Sequence, residues 1–401
     1  MNKILKSGVC LANSVLPIKK KVVLFSSFFG QYNDNPKAVS QKLHEVAPDV
    51  KIVWVKSKKA REPFPSYVKT VELYSKEYYQ MLNRAQVIVD NHMGMRASGY
   101  WGDKGLRKIF AKVFSRKRKG QLCISTWHGT PLKRIAADTI GANDKKRHYT
   151  NTDFVVAGCE LSKGKFKSAF LNSVPVKKYG TPRNDALING SEDLVQLKNK
   201  LGLPLDKKII LFAPTFRNSV ENSGIKQMQE FDFERLLNSL QKKFGGEWCF
   251  VFRVHNNVLL KIDVQSLTEK FGERIINGNK CDDMVEYMIC CDALITDYSG
   301  SMFDFALTGK PCFLYSHDKE DYEKKERGFY LDYNGLPFPI SLTTEEFYSS
   351  IENFDQEQYA KNIDKFLKDI GNFEEGKAAE RIVKDILSFI KDQDKSKILD
   401  K

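Results

Sequence analysis

The chain has 401 residues, 42% of them apolar and 12% aromatic, with 64 Lys and Arg against 50 Asp and Glu for a formal charge of +14. That length points to two domains with sizeable cores, and the positive excess points to an anionic partner: nucleic acid, a membrane surface or a phosphorylated substrate. No run approaches the ~20 apolar residues that span a bilayer, and the eight cysteines lack any CxxC pair, so they read as reduced core residues of a cytosolic protein.

The opening stretch, MNKILKSGVCLANSVLPIKKKVVLF, imitates an export signal weakly: Ser, Asn and Pro interrupt its apolar run, which leads into basic residues and a strand. Short β-branched runs then alternate with helical stretches. Strands are predicted at 21–27, 51–55, 86–90, 122–126, 154–158 and 176–180. After a polar junction with Gly and Pro around 186–208 they resume at 209–214, 248–255, 292–297 and 311–316. Such alternation predicts an α/β fold with parallel sheets and crossover helices. Two domains follow, 1–188 and 189–401, with helices from about Thr343 onward. Two halves of this kind, face to face, would leave a cleft between them.

One connection has unusual charge. Between Lys104 and Lys119 the segment KGLRKIFAKVFSRKRK contains no acid. Leu106, Ile109, Phe110, Val113 and Phe114 recur three and four apart, beside a face bearing Arg107, Lys108, Lys112, Arg116, Lys117 and Arg118. Two readings are open. The helix lies in an anionic headgroup layer with Phe110 and Phe114 in the acyl boundary, or it packs its stripe on its own domain. Nucleic-acid contact is disfavoured, because aromatic rings are not interleaved among the charges as single-strand binders require.

In open parallel sheets ligands bind beyond the carboxyl ends of the strands, so the residues delivered there carry the chemistry. The run LCIST delivers Trp127, His128, Gly129 and Thr130; IILFAP delivers Thr215, Phe216 and Arg217; WCFVFRVH delivers Arg253 and His255; DALITD delivers Asp297, Tyr298, Ser299, Gly300 and Ser301. A Gly-containing turn opening a helix offers backbone N–H groups and hydroxyls to a phosphate. A plain helix cap would explain the same residues; Arg217 and Arg253 at neighbouring strand ends favour the phosphate, since guanidiniums grip its oxygens in pairs. His128 and His255 are the candidates for proton transfer near neutrality. His92, which also ends a strand, is a weaker one; His44 and His317 read as surface or packing residues and His148 as part of a solvated basic face. No P-loop, kinase set, HExxH, cysteine cluster or GxSxG elbow is present, which argues against ATP hydrolysis, zinc chemistry and serine hydrolysis.

Taken in order, SSFFGQYNDNPKAV, STWHGTPLKR, YGTPRND, ILFAPTFR, FRVH, ALITDYSGSMFDFA and RGFYLDY resemble the motifs of the CDP-glycerol glycerophosphotransferases, over roughly residues 20 to 385. These enzymes build teichoic acids and related phosphopolyol capsules, and the length fits their single-module members. The resemblance implies a GT-B architecture of two Rossmann-like domains facing a central cleft. The N-terminal domain would face acceptor and membrane, and the C-terminal domain would bind the donor. It implies CDP-glycerol or CDP-ribitol as donor, CMP as leaving group and a hydroxyl of a lipid-linked glycan or polyol-phosphate polymer as acceptor. It maps catalytic roles onto His128 and His255 and donor contacts onto Thr215, Arg217, Asp297, Ser299 and Ser301, beside which Arg253 and Gly300 are expected to serve. Many relatives carry Ser where this chain has Gly300. No cofactor beyond the donor, no metal and no nucleic acid is expected, and the protein is expected to be cytoplasmic, peripheral at the inner face of the membrane. Two rivals stay open: a GT-B nucleotide-sugar glycosyltransferase, and a non-catalytic protein that binds anionic lipid or nucleic acid through its charge.

Overall fold

The computed structural model describes residues 15–58, 60–61, 63–93, 117–139, 151–190, 193–215, 228–254, 264–325 and 328–399. The chain divides into two compact units. Unit 1 comprises Met1–Gly129, Asn143–Asp185 and Phe373–Lys401, and unit 2 comprises Thr130–Ala142 and Ala186–Asn372. Two segments thus depart from the continuous halves expected from sequence.

Unit 1 is built on β1 (Lys19–Phe25), β2 (Lys51–Lys56), β3 (Lys69–Glu72), β4 (Ala85–Asp90), β5 (Leu122–Ser125), β6 (Phe154–Val156) and β7 (Val176–Lys177). They form one sheet in the order β3-β2-β1-β4-β5-β6-β7, with every pair parallel. The central strands β4 and β5 are buried along their whole length because both faces are covered. Val23 and Phe25 of β1 pack on one side with Val39 and Leu43 of the helix Asp34–Val46 and with Ile382, Ile386 and Phe389 of the helix Ala378–Asp392. Val22 and Leu24 pack on the other with Tyr78, Met81 and Leu82 of the helix Lys76–Arg84.

The C-terminal segment therefore supplies core to unit 1. It is fastened by Asp185, whose carboxylate oxygens accept the N–H groups of Ala378 and Ala379 at 2.9 and 2.8 Å. Glu374 adds an acceptor for Thr181 N–H at 2.8 Å.

Unit 2 repeats the plan with β8 (Lys208–Phe212), β9 (Trp248–Phe252), β10 (Ile275–Asn277), β11 (Ala293–Thr296), β12 (Cys312–Tyr315) and β13 (Ile340–Ser341), all parallel, in the order β10-β9-β8-β11-β12-β13. The strap that follows Gly129 is absorbed here. Leu132 is buried in this core, Lys133 bridges Phe329, and Arg134 N–H donates to Gly328 O at 3.0 Å.

In each sheet the strand order reverses once, between β1 and β4 and between β8 and β11. At such a point the connections leave toward opposite faces and open a crevice at the carboxyl ends. The unit 2 switch point coincides with the ends of β8 and β11 singled out in the sequence, whereas the unit 1 switch point lies at β1 and β4, next to the end of β5.

Candidate active site

In unit 1, β5 ends at Ser125 and the chain turns sharply. Trp127 sits at φ +49° and Gly129 at φ +100°. Only glycine adopts the second freely, and the turn swings His128 out of the strand line. The Nδ1 of His128 lies 2.9 Å from the carbonyl oxygen of Asn91, just beyond β4. A carbonyl can only accept, so Nδ1 carries the proton and Nε2 presents its lone pair. The Trp127 ring stacks on the imidazole at 4.1 Å and Phe28 meets it edge-on at 5.0 Å. Burial pushes the imidazole pKa down to about 4, against the opposing pull of the Asn91 carbonyl and the Asp34 carboxylate; Arg183 and His92 push it down further. At neutral pH the ring is uncharged and able to take a proton.

In unit 2, Asp297 is fully buried just past β11. Its Oδ1 accepts the N–H groups of Thr215 at 2.8 Å and Tyr298 at 2.6 Å. It ties the end of β8 to the end of β11 and so holds Thr215 beside the Ser299–Ser301 loop. In that loop Ser299 Oγ accepts the Ser301 hydroxyl at 2.9 Å and the Ser301 N–H at 3.3 Å. The helix Ser301–Ala306 has only six residues, so its dipole is small, and the loop's own N–H groups and hydroxyls are what it offers an anion. Gly300 has an ordinary backbone at φ −60°. It is required for space: a Cβ there would stand 2.7 Å from the Thr130 carbonyl oxygen.

Arg253 directly follows β9. Expected on a donor phosphate, its guanidinium instead donates to three backbone carbonyls, those of Gly278 (3.0 Å), Cys281 (2.5 Å) and Asp282 (2.9 Å), and lies over the Tyr287 ring. Three carbonyls converging on one cation brace the 278–282 loop. Within the same loop the Asn279 amide accepts the Val254 N–H at 3.1 Å and donates to the Val254 carbonyl.

Lys117 and Arg118, expected to touch lipid, are engaged inside unit 1. Lys117 Nζ lies 2.6 Å from the buried Asp153 carboxylate, and Arg118 donates to the carbonyls of Asn83 and Leu16 at 2.9 and 2.8 Å. His255 and Arg217, and with them Arg107, Lys108, Phe110, Lys112, Phe114 and Arg116, lie outside the described residues. His44 stacks on Tyr67 at 3.7 Å, a packing role as expected.

Several site residues had no assigned role in the sequence reading: Asp34, Asn35, Asn91 and Arg183 around His128, and Asn279 next to Val254. Asp34, Asn35 and Arg183 fall inside the quoted stretches YNDNPKAV and YGTPRND. Their function depends on contacts between segments some 150 residues apart (|i−j| of 148 and 149), which no local pattern encodes.

Two parallel sheets of this order, each bearing polar residues at its switch point, define a two-unit Rossmann-type α/β protein of the GT-B class. The chain matches the family model described as CDP-glycerol:poly(glycerophosphate) glycerophosphotransferase over residues 9–388, and it belongs to that family. It is 31% identical over 395 residues to the teichoic acid poly(glycerol phosphate) polymerase of Staphylococcus epidermidis, covering 94% of this chain and 52% of that one. It is 29% identical to the teichoic acid glycerol-phosphate transferase of Staphylococcus aureus, covering 93% and 94%. A solved structure of the wall teichoic acid polymerase TagF matches with a TM-score of 0.78 and 28% identity, over 98% of this chain and 94% of that one. The chain spans about half the length of the polymerases of Staphylococcus epidermidis (52%) and Bacillus subtilis (49%).

Proposed function

We propose that the chain transfers a polyol phosphate from its CDP ester to a hydroxyl of a lipid-linked glycan or growing polyol-phosphate polymer, releasing CMP. Glycerol phosphate is the group transferred: similarity to glycerol-phosphate enzymes runs over 94%, 92% and 93% of this chain, whereas that to poly(ribitol-phosphate) polymerases covers 67% to 68%.

The acceptor oxygen attacks the β-phosphorus of the donor in line. The new O–P bond forms as the bond to the CMP oxygen breaks, and the acceptor's proton passes to Nε2 of His128. Thr215 and the Ser299–Ser301 loop, held by Asp297, hydrogen-bond the diphosphate; Arg217 and His255 neutralise the charge that accumulates toward CMP. Transfer of this kind depends on positioning and charge stabilisation, and the base contributes about 10²–10⁴-fold. The fixed Nδ1–H tautomer of His128, which leaves Nε2 free to accept, carries this reading.

The acceptor is membrane-linked, and the cationic amphipathic segment 104–116 holds the enzyme at an anionic cytoplasmic surface; no nucleic acid takes part. The charge pattern of that segment supports this, and no helix among the described residues is long and apolar enough to cross a bilayer.

The test follows CMP release from CDP-glycerol with a lipid-linked acceptor. His128→Ala and His255→Ala are expected to abolish it while leaving the circular dichroism spectrum unchanged. Near-wild-type turnover in either variant would remove the role given to that histidine.

A further inference from the structure

The turn that presents His128 is held from behind by two neighbouring side chains at the start of the helix Asp34–Val46. Asn35 is fully buried. Its Nδ2 donates to the carbonyls of Trp127 at 2.8 Å and Thr126 at 3.2 Å, and its Oδ1 accepts the Arg183 N–H at 2.9 Å. Asp34 sits at φ +60°, a left-handed backbone that a side-chain-bearing residue adopts only when its surroundings impose it. Its Oδ1 pairs with Arg183 Nη1 at 2.7 Å, and its Oδ2 accepts Asn91 Nδ2 at 2.6 Å. Asn91 in turn gives its carbonyl to His128 Nδ1 and donates a second amide hydrogen bond to Ser27 Oγ at 3.1 Å. Each step is a hydrogen bond between buried or largely buried partners.

We propose that Asp34 and Asn35 are positioning residues for His128: Asn35 clamps the two carbonyls that precede the imidazole, and Asp34, charged and held by Arg183, fixes the asparagine whose carbonyl sets the ring's tautomer. The inference rests on His128 being the base. Asn35 stabilises the left-handed Trp127 by supplying donors to carbonyls that the turn withdraws from the sheet ladder. Asp34 acts without touching the ring. Among the described residues, Asp34 is the charged group that favours the imidazolium formed as the acceptor loses its proton, while Arg183 and His92 oppose it.

Two near-isosteric variants test this in the full chain. Asn35→Asp places an acceptor where two carbonyls need a donor. We expect kcat to fall about 10²-fold, the size of loss that follows a small displacement of a reacting group, with the KM for CDP-glycerol changed less than about twofold, since the donor contacts come from other residues. In imidazole ¹⁵N spectra the single Nδ1–H signature of His128 should give way to mixed tautomers. Asp34→Asn removes the charge and leaves one oxygen for two donors, Arg183 and Asn91; kcat should fall about tenfold and the single Nδ1–H signature of His128 should weaken. Where Asn35→Asp does not fold, Asn35→Ala removes the donors without the repulsion and is judged by the same two readouts.

Unchanged kcat, or a loss that tracks the unfolded fraction while the ring signature stays that of wild type, would overturn the proposal. His128→Ala separates the two levels. If that variant keeps turnover, the base assignment fails, and the ring signature of Asn35→Asp still decides whether the clamp exists.

Discussion

Trp127 and Phe28 pack on His128, which is partly buried, and burial lowers its pKa, so the base stays neutral into mild acid. An unburied histidine titrates near 6.5; this one is held at about 4. The acid limb of kcat/KM, which reports the free enzyme, is expected well below pH 6, leaving a plateau from about pH 5.5 to 8. A limb at 6.5 would mean the imidazole is solvated or is not the base. The sign for stability runs the same way. The unfolded chain binds this proton at higher pH than the folded one, so the stability held at neutral pH is lost as pH falls from about 6.5 toward 4. Arg253 gives a second test at this scale. With three carbonyls on its guanidinium, Arg253→Ala should destabilise unit 2 by about 2–4 kcal/mol, seen as a lower melting temperature. A raised KM for donor with an unchanged melt would instead restore the phosphate contact expected from the motif. The sequence placed Arg253 at a strand end correctly, yet nothing in FRVH says which way the side chain turns; that is decided by the 278–282 loop, three of whose carbonyls accept its guanidinium.

At the level of elements, the strands buried on both faces were legible, as was the edge strand β7, while the edge strands β3, β10 and β13 were not. Runs such as VVLF and WCFVF announce themselves because every position is apolar and buried. β3 shows one buried residue in four, β10 has three residues and β13 two; each exists because a neighbouring strand offers it a ladder. Likewise the loop at 299–301 was recognisable from its residues, while the shortness of its helix and the crowding at Gly300 were not. That crowding makes a definite prediction. Gly300→Ser puts a Cβ 2.7 Å from the Thr130 carbonyl oxygen of this chain. Backbone cannot yield as a side chain can, so unit 2 should lose about 1–3 kcal/mol. Thr130 follows His128 by two residues, so kcat should drop as well. A serine variant with wild-type melting and turnover would show that the strap seats differently.

The molecule as a whole exchanges segments between its units, and this was beyond the reach of sequence reading. The polar junction near 186–208 was visible, and the chain does pass from unit 1 to unit 2 at Asp185–Ala186. The return at Phe373 and the brief excursion of 130–142 are set by which core their apolar residues complete: Ile382, Ile386 and Phe389 in one, Leu132 in the other. The family was legible because seven motifs occur in order, and the whole-chain match over residues 9–388 agrees with it. In the proposed transfer an uncharged, tautomer-fixed imidazole deprotonates a hydroxyl acceptor. The most direct test incubates the full chain with CDP-glycerol and a lipid-linked acceptor and weighs the products. The expected result is stoichiometric CMP with an acceptor heavier by one or more glycerol phosphates, both absent with His128→Ala. Turnover by His128→Ala, or release of a different nucleotide with a sugar joined to the acceptor, would contradict it.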